Sequence, residues 1–597
     1  MASTTSQIEF LTLPAEILIF ITECADPSSH LPLAQTCKAM YEKMVPLLEQ
    51  HRAARKKYEV VSDLLPSTVP DMLDVAFRGE EPSRSIELWH MRSLEFFGVR
   101  RHWNNWKAWK VDRSTGLQPP TASDELELAP PHDLESGTPE LEVSKVTRRW
   151  RERVKYYIEE ARKRKIIPDI SVKYSMSATQ AGSDAVLKGI LISVLPHLKV
   201  VKFVQADMLS TMNLVPFCRS IEWALGLDVW PPGLLSLQKV AVGVPFSYGE
   251  PSIPPSVLVR LMQLPNLEEV YVRGMRIDAE NQTYNEVLDS NDELVLFGNL
   301  GNLNEPERAR EKARKLRTRL CLRAHSSSVR HIILDQMRDH AGTGQFMKAL
   351  LKTPQSLESI TIRAVEEPLA QTDEMMRVLS QYQSASLEEF LLYLQRDGAD
   401  NEIQTSGYRL SILKDFNNLE LVNVRWTDII GEAPWSLGAY KDTFTPEGLV
   451  THFVEAFPPS ICILIVHASS SYTDASAERV ARERKSLDDC VVALIESERY
   501  PSLEAIYLVT DRVQRGTTSG PVPEALFPRA VAAGSQHGID VYTSASTETP
   551  AAQERDFVIF PNIQEVESAP GYELDWDFCR TTGLLQRNEN IRRERGV

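Results

Sequence analysis

The apolar positions of this chain are dominated by one recurring phrase: Leu, two variable residues, then an apolar alternation of period two. Its copies begin at Leu198, Leu237, Leu267, Val329, Leu357, Leu387, Leu419, Ile461 and Leu503, as in Leu267-Glu268-Glu269-Val270-Tyr271-Val272. Most follow Pro, Ser or Asn. The steps between first residues are 39, 30, 62, 28, 30, 32, 42 and 42. The step of 62 reads as one insertion or one unrecognisable copy. Period two predicts a short strand with one buried face. Helical stripes lie between the strands: Phe346 and Leu350; Met375, Met376 and Leu379; Leu449, Phe453 and Phe457 after Thr445-Pro446. Ser486 with Asp489 has the form of a capping box ahead of Val491, Leu494 and Ile495. Strand, turn and helix at this period predict a repeat solenoid whose units bury their apolar faces on one another. The rival is an ordinary α/β domain with a parallel sheet, and the number of copies favours the solenoid.

A different pattern opens the chain. Leu11, Leu13, Ile17, Leu18 and Ile21 recur at helical spacing, with Thr12 as a possible cap, Pro14 suited to a first turn and Glu16 placed to complement the dipole. Asp26-Pro27-Ser28-Ser29 ends that helix. A second apolar set holds Leu31, Leu33, Ala34, Cys37, Met40 and Tyr41, and a third Val45, Leu47 and Leu48. Three short helices form too small a core to stand alone, which a covering partner would repair.

Leu11-Thr12-Leu13-Pro14-Ala15-Glu16-Ile17-Leu18, Ile21, Leu31-Pro32-Leu33-Ala34-Gln35-Thr36-Cys37-Lys38, Tyr41 and Val45–Leu48 together closely resemble the F-box. The resemblance implies a three-helix domain at 8–50 that binds a Skp-type adaptor and, through it, a cullin–RING ubiquitin ligase. It implies adaptor contacts at Leu11, Leu13, Pro14, Ile17, Leu18, Ile21, Leu31 and Leu33. The alternative is a small helical unit packed on the domain that follows. The repeated phrase is similar to the strand part of leucine-rich repeats, with a mostly absent asparagine position and variable unit lengths. The expected fold class is therefore an α/β repeat: a three-helix F-box followed by a degenerate leucine-rich-repeat solenoid. The overall pattern is similar to divergent F-box proteins abundant in filamentous fungi.

The expected organisation continues with a helical connecting region at 51–111, an acidic Pro-rich disordered linker at 112–144 and a basic amphipathic helix at 145–166. The solenoid spans 167–545, and a C-terminal cap and tail 546–597. Trp89, Trp103, Trp106 and Trp109 interleave with Arg100, Arg101, Lys107 and Lys110. Aromatic and basic residues together can bind single-stranded nucleic acid, but tryptophans at this spacing more often pack a helix. The net charge of −16 favours packing and argues against nucleic acid or an anionic membrane as main partner. In a solenoid, strand residues facing away from the helices line the ligand face. On that reasoning Tyr271, Arg273, Arg363, Tyr393, Arg425 and Tyr507 form the expected substrate face, with Glu269, Thr361, Glu389, Asn423 and Asp511 beside them.

Seven cysteines, none within four residues of another, fit neither a disulfide framework nor a CxxC zinc site. No secretory signal and no membrane-length apolar run is evident, so the expected setting is cytoplasmic, nuclear or both. No nucleotide, metalloprotease or hydrolase motif appears. No catalytic residue, cofactor or metal is expected. The expected function is substrate recognition for an SCF-type ligase, with an unidentified protein as substrate. The alternatives are a repeat scaffold without a ligase role and, less favoured, a nucleic-acid-binding protein.

Overall fold

A computed structural model describes residues 14–78, 85–106, 108, 110–112, 116–118, 139–167, 176, 179, 182–203, 211–227, 229–243, 253–277, 287–288, 294–295, 321–339, 345–365, 372–395, 408–430, 446–468, 477–510, 527–545, 563–566 and 573–576. The chain divides into two units. One comprises 1–250 with 264–267 and 565–573; the other comprises 251–263, 268–564 and 574–597.

The first unit opens with helices α1 (Ala15–Cys24), α2 (Pro27–Ala34) and α3 (Lys38–Tyr58). Strand β1 (Val60–Ser62), α4 (Thr68–Arg78), α5 (Ile86–His90) and β2 (Ser93–Phe96) follow. A hairpin of β3 (Lys110–Asp112) and β4 (Gly116–Gln118) precedes α6 (Pro139–Lys163). Strands β5 (Val200–Phe203) and β6 (Lys239–Val242) complete a parallel run β1-β2-β5-β6. Residues 51–111, expected to be helical, thus also hold two parallel strands. The basic helix begins at Pro139 rather than 145, inside the expected linker, whose residues 119–138 lie outside the described residues.

The second unit carries β7 (Glu269–Arg273), β8 (Arg276–Ile277), β9 (Val287–Leu288), β10 (Leu294–Val295) and β11 (Cys321–Leu322). Its parallel run continues with β12 (His331–Asp339), β13 (Ser359–Val365), β14 (Glu389–Gln395), β15 (Leu421–Arg425), β16 (Ile463–Ala468), β17 (Ala505–Thr510) and β18 (Asp540–Ala545). Here β7 pairs directly with β12, Tyr271 opposite Ile333. The step of 62 is therefore an insertion, not a missing copy. Of the expected cap and tail, 563–566 and 573–576 are described, both strands; the strand-like run 556–560 lies outside the described residues.

Within each unit, successive phrases stand in lateral register. His331, Ser359, Glu389, Leu421, Ile463 and Ala505, all third residues, align across successive strands. The carbonyls of most second residues accept two N–H groups from the neighbouring strand. Arg330 O accepts from Glu358 and Ser359, Glu358 O from Glu388 and Glu389, and Glu420 O from Cys462 and Ile463. The same device in the first unit joins Glu59 O to Arg92 and Ser93, and Arg92 O to Lys199 and Val200. It marks two repeats, opening at Tyr58 and Met91, that the leucine phrase did not disclose. First residues of the recognised phrases are buried throughout.

Helices follow the predicted stripes at Gln345–Lys352, Thr372–Gln383 and Pro446–Val454. The capping box does not form. A helix runs unbroken over Ala477–Glu496, so Ser486 is mid-helix. The run AERVARERK upstream is helix-favouring and extends the element. Asp488 instead accepts from the N–H of Ala530, in the first turn of the helix Pro528–His537.

A buried, neutral set of four charges ties the first unit together. Lys188 Nζ lies 2.6 Å from Asp63 Oδ2 and 3.1 Å from Asp184 Oδ2, and Arg100 Nη1 lies 3.3 Å from Asp184 Oδ2. Remaining valences go to main chain: Arg100 Nη2 donates to Asp63 O and Leu64 O, and Asp63 Oδ1 accepts from Phe97 N–H. All four side chains are at most 3% exposed. Removing one member leaves an uncompensated buried charge, which costs about 3–5 kcal/mol. Lys188→Met is expected to lower the opening free energy of β2 by about that amount, measured by hydrogen exchange. Lys38→Met, which removes an exposed pair with Glu42, is expected to change it by less than about 0.5 kcal/mol.

Candidate functional site

The three N-terminal helices form a module with its own small core. Pro14 stands at the N-cap of α1 and its carbonyl accepts from the N–H of Ile17 and Leu18. Asp26 caps α2 by accepting from Ser28 N–H at 2.8 Å, and hydrogen bonding to the Ser28 side chain, then to its N–H, holds the carboxyl below the usual carboxylate range. Arg55, Lys56 and Lys57 in the last turn of α3 complement its dipole. Leu18, Ala34, Met40, Met44 and Leu48 make the core, with Leu33, Cys37 and Leu47 packed at its edge.

Another set of apolar side chains faces out. Ile17 is 45% exposed, Phe20 63% and Ile21 38%. At i, i+3 and i+4 they occupy one side of α1. Leu31 on α2 is 54% exposed and Tyr41 on α3 45%. Five of the ten large exposed hydrophobics among the described residues thus fall between Ile17 and Tyr41. Such clustering sets this surface apart from the singly scattered apolar residues usual on a protein exterior.

The expected adaptor contacts therefore separate. Pro14, Ile17, Ile21 and Leu31 are exposed, Leu33 is half-buried, and Leu18 is 1% exposed and belongs to the module's core. Leu18 is corrected accordingly: it turns inward to join Ala34 of α2 and Met40, Met44 and Leu48 of α3 in the module's core. Leu11 and Leu13 lie outside the described residues. Phe20 was not among the expected residues, although its spacing from Ile17 carried the signal.

The expected substrate face is corrected more strongly. Tyr271 is fully buried and its hydroxyl donates to Asp335 Oδ2 at 2.7 Å; Arg273 is an ion-pair neighbour of the same carboxylate. Tyr507 is 5% exposed and stacks on Tyr542 with centroids 4.8 Å apart. Arg425 makes a two-pronged ion pair with Asp428, at 2.9 and 2.7 Å. Asn423 donates to Leu392 O and accepts from Leu392 N–H. Glu269 and Thr361 are buried as well. The side chains of Arg363 and Tyr393, and all of Asp511, lie outside the described residues. Parallel strands about 4.8 Å apart stack equivalent side chains into rows, and these rows bury one another. The tryptophans of the 103–106 stretch pack in the same sense: Trp106 is buried between Trp103 and Trp150 and its Nε1–H donates to Gly182 O. The Cys462 and Cys490 thiols are pushed up by burial, to about 11 and about 12, and stay protonated at neutral pH.

Fold and module together define a parallel α/β repeat protein that carries an N-terminal three-helix module with an uncovered apolar face. No family model and no curated protein matches the chain. Among solved structures, a chain of the yeast Rad7–Elc1 complex is similar over 64% of this chain and 93% of its own, at 12% identity with a TM-score of 0.21. A likeness that slight carries no weight for fold or function.

Two substitutions separate core from face. Leu18→Ala is expected to cost the module about 2–5 kcal/mol, and Phe20→Ala less than about 0.5 kcal/mol. Hydrogen exchange across α3 measures both; comparable effects would contradict the orientation of α1.

Proposed function

We propose that this chain is the substrate-recognition subunit of an SCF-type cullin–RING ubiquitin ligase. Its N-terminal module docks on a Skp-type adaptor, and its repeats hold a protein substrate. The observation that carries this reading is the outward apolar side of α1, Ile17, Phe20 and Ile21, on a stretch that resembles the F-box. The role asks no bond-making of the chain. Holding a target lysine near a charged conjugating enzyme raises its effective concentration. A cytoplasmic or nuclear setting goes with this role.

The repeats support the substrate-holding half only through their loops and strand ends, since the central rows of strand side chains are already engaged with one another. Arg425, half-buried and fixed by Asp428, stands at the end of β15 and is the strongest of the original candidates for a contact there.

Co-expression with a Skp-type adaptor tests the proposal. The wild-type chain is expected to co-purify with it stoichiometrically. Phe20→Asp and Ile17→Asp are each expected to weaken binding at least about 100-fold, because a charge would be desolvated in an apolar interface. Full binding by both variants, or none by a folded wild-type chain, would leave a repeat scaffold without a ligase role.

A further inference from the structure

Three histidines from three helices form a continuous row where the N-terminal module meets α5. His30 Nδ1 on α2 lies 2.7 Å from His51 Nε2 on α3, and His51 Nδ1 lies 2.9 Å from His90 Nε2 on α5. The rings meet edge to face, with centroids 5.0 and 5.1 Å apart. His30 Nε2 lies 3.2 Å from the carbonyl of Ala25, which can only accept. That contact sets the polarity of the row. In the neutral form His30 donates through Nε2, so its Nδ1 accepts from His51 Nε2–H, and His51 Nδ1 accepts from His90 Nε2–H.

Proton counting then limits what the row can hold. Three neutral imidazoles carry three N–H groups: one points at Ala25 and one fills each gap between rings. A first added proton can enter at His90 Nδ1, the outer end, and no gap changes. A second has only a gap left to occupy. It would set two N–H groups facing each other over less than 3 Å and place two imidazoliums within one row of three rings.

We propose that this row is an acid-sensitive joint: it clamps the N-terminal module to α5 when neutral, and uptake of a second proton releases it. The joint works whether or not the module binds an adaptor.

The surroundings fit a clamp that favours the neutral state. Burial, then the charges of His30 and His90, push His51 down to about 4. Burial, then Arg92 and Arg55, lower His90, with Glu59 opposing. Beyond the row, Arg92 Nη1 donates to His197 O and Trp89 packs edge-on against the His197 ring. His197 is itself lowered, by burial first and then by Arg92, with Asp26 opposing. The charged groups around the joint are therefore Arg55 on α3 and Glu59 at its C-cap, Arg92 after α5, and Asp26 at the cap of α2. A histidine held below its free value stabilises the closed form fully above pH 6.5 and loses that contribution as pH falls toward about 4. Three released histidines bind up to three protons and the closed row at most one. The opening constant therefore steepens toward about 100-fold per pH unit.

Hydrogen exchange of the full chain, corrected for intrinsic rates and run from about pH 7.5 to about pH 4.5, tests the joint. Protection of α2 and α5 is expected to fall below pH 6.5 while β13 stays protected. In the double variant His30→Gln, His90→Gln each amide can turn either its oxygen or its NH2 toward His51, so the row houses a charged His51 and the steep fall should vanish. His51→Phe, which removes both gaps, should show weak protection of α5 already at about pH 7.5 and a shallow pH dependence. A flat wild-type profile, loss in step with β13, or wild-type steepness in either variant would overturn the proposal.

Discussion

A parallel strand cannot satisfy its own main chain, and everything in the two units follows from how that requirement is met. Most second phrase residues give their carbonyl to two N–H groups of the next strand, as Glu388 O does to Glu420 and Leu421. An unpaired buried peptide group costs as much as a lost hydrogen bond, so a strand is stable only between its neighbours. The requirement sets the register, and register sets which side chains stack: Tyr507 meets Tyr542, and Arg273 stands opposite Asp335, because the backbone aligns them. The helices then close over the Leu positions that the same alignment has brought into line.

Burial of charge obeys the same logic of local completion. Lys202 and Glu95 sit on adjacent strands, opposed in register and 3.0 Å apart. Asp63, Arg100, Asp184 and Lys188 lie just past β1 and β2 and in the first turns of the helix Ala185–Val194, with net charge zero and with main-chain partners for the remaining valences. A buried set of this kind adds little stability over an apolar one, but it tolerates few alternative arrangements. It fixes how the chain after β2 and the helix at 185–194 come together.

Much of this was legible and some was not, for physical reasons. The alternation of apolar residues disclosed nine strands, since one face of each must be greasy whatever lies beside it. It missed β18, which no copy of the phrase opens, β1, where Val60-Val61-Ser62 is too short to show a period, and β2, where Glu95 occupies a strand interior on the strength of a lysine 107 residues away. It misjudged Tyr271 because alternation separates two faces but is blind to lateral neighbours, and the partner Asp335 is 64 residues distant. It could not orient α1, which is apolar nearly all round; Leu18 turns in and Phe20 out only because α2 and α3 leave one side unoccupied. Ser486 misled for the opposite reason: a local cap signal yielded to a helix already propagating from upstream.

What distinguishes the N-terminal module from the rest is therefore an imbalance and not a fold. The rows on the strands, the ion pairs at strand ends and the tryptophan stack all find partners within the chain. The module buries five core side chains and leaves five large apolar ones between 38% and 63% exposed. The histidine row ties α2 and α3 to α5, and α3 runs on into β1, so the module is anchored through elements other than α1. A surface that is costly in water and yet structurally supported is best explained by an occupant, and the side chains that would meet it first, Phe20 and Ile17, are those least needed by the module itself.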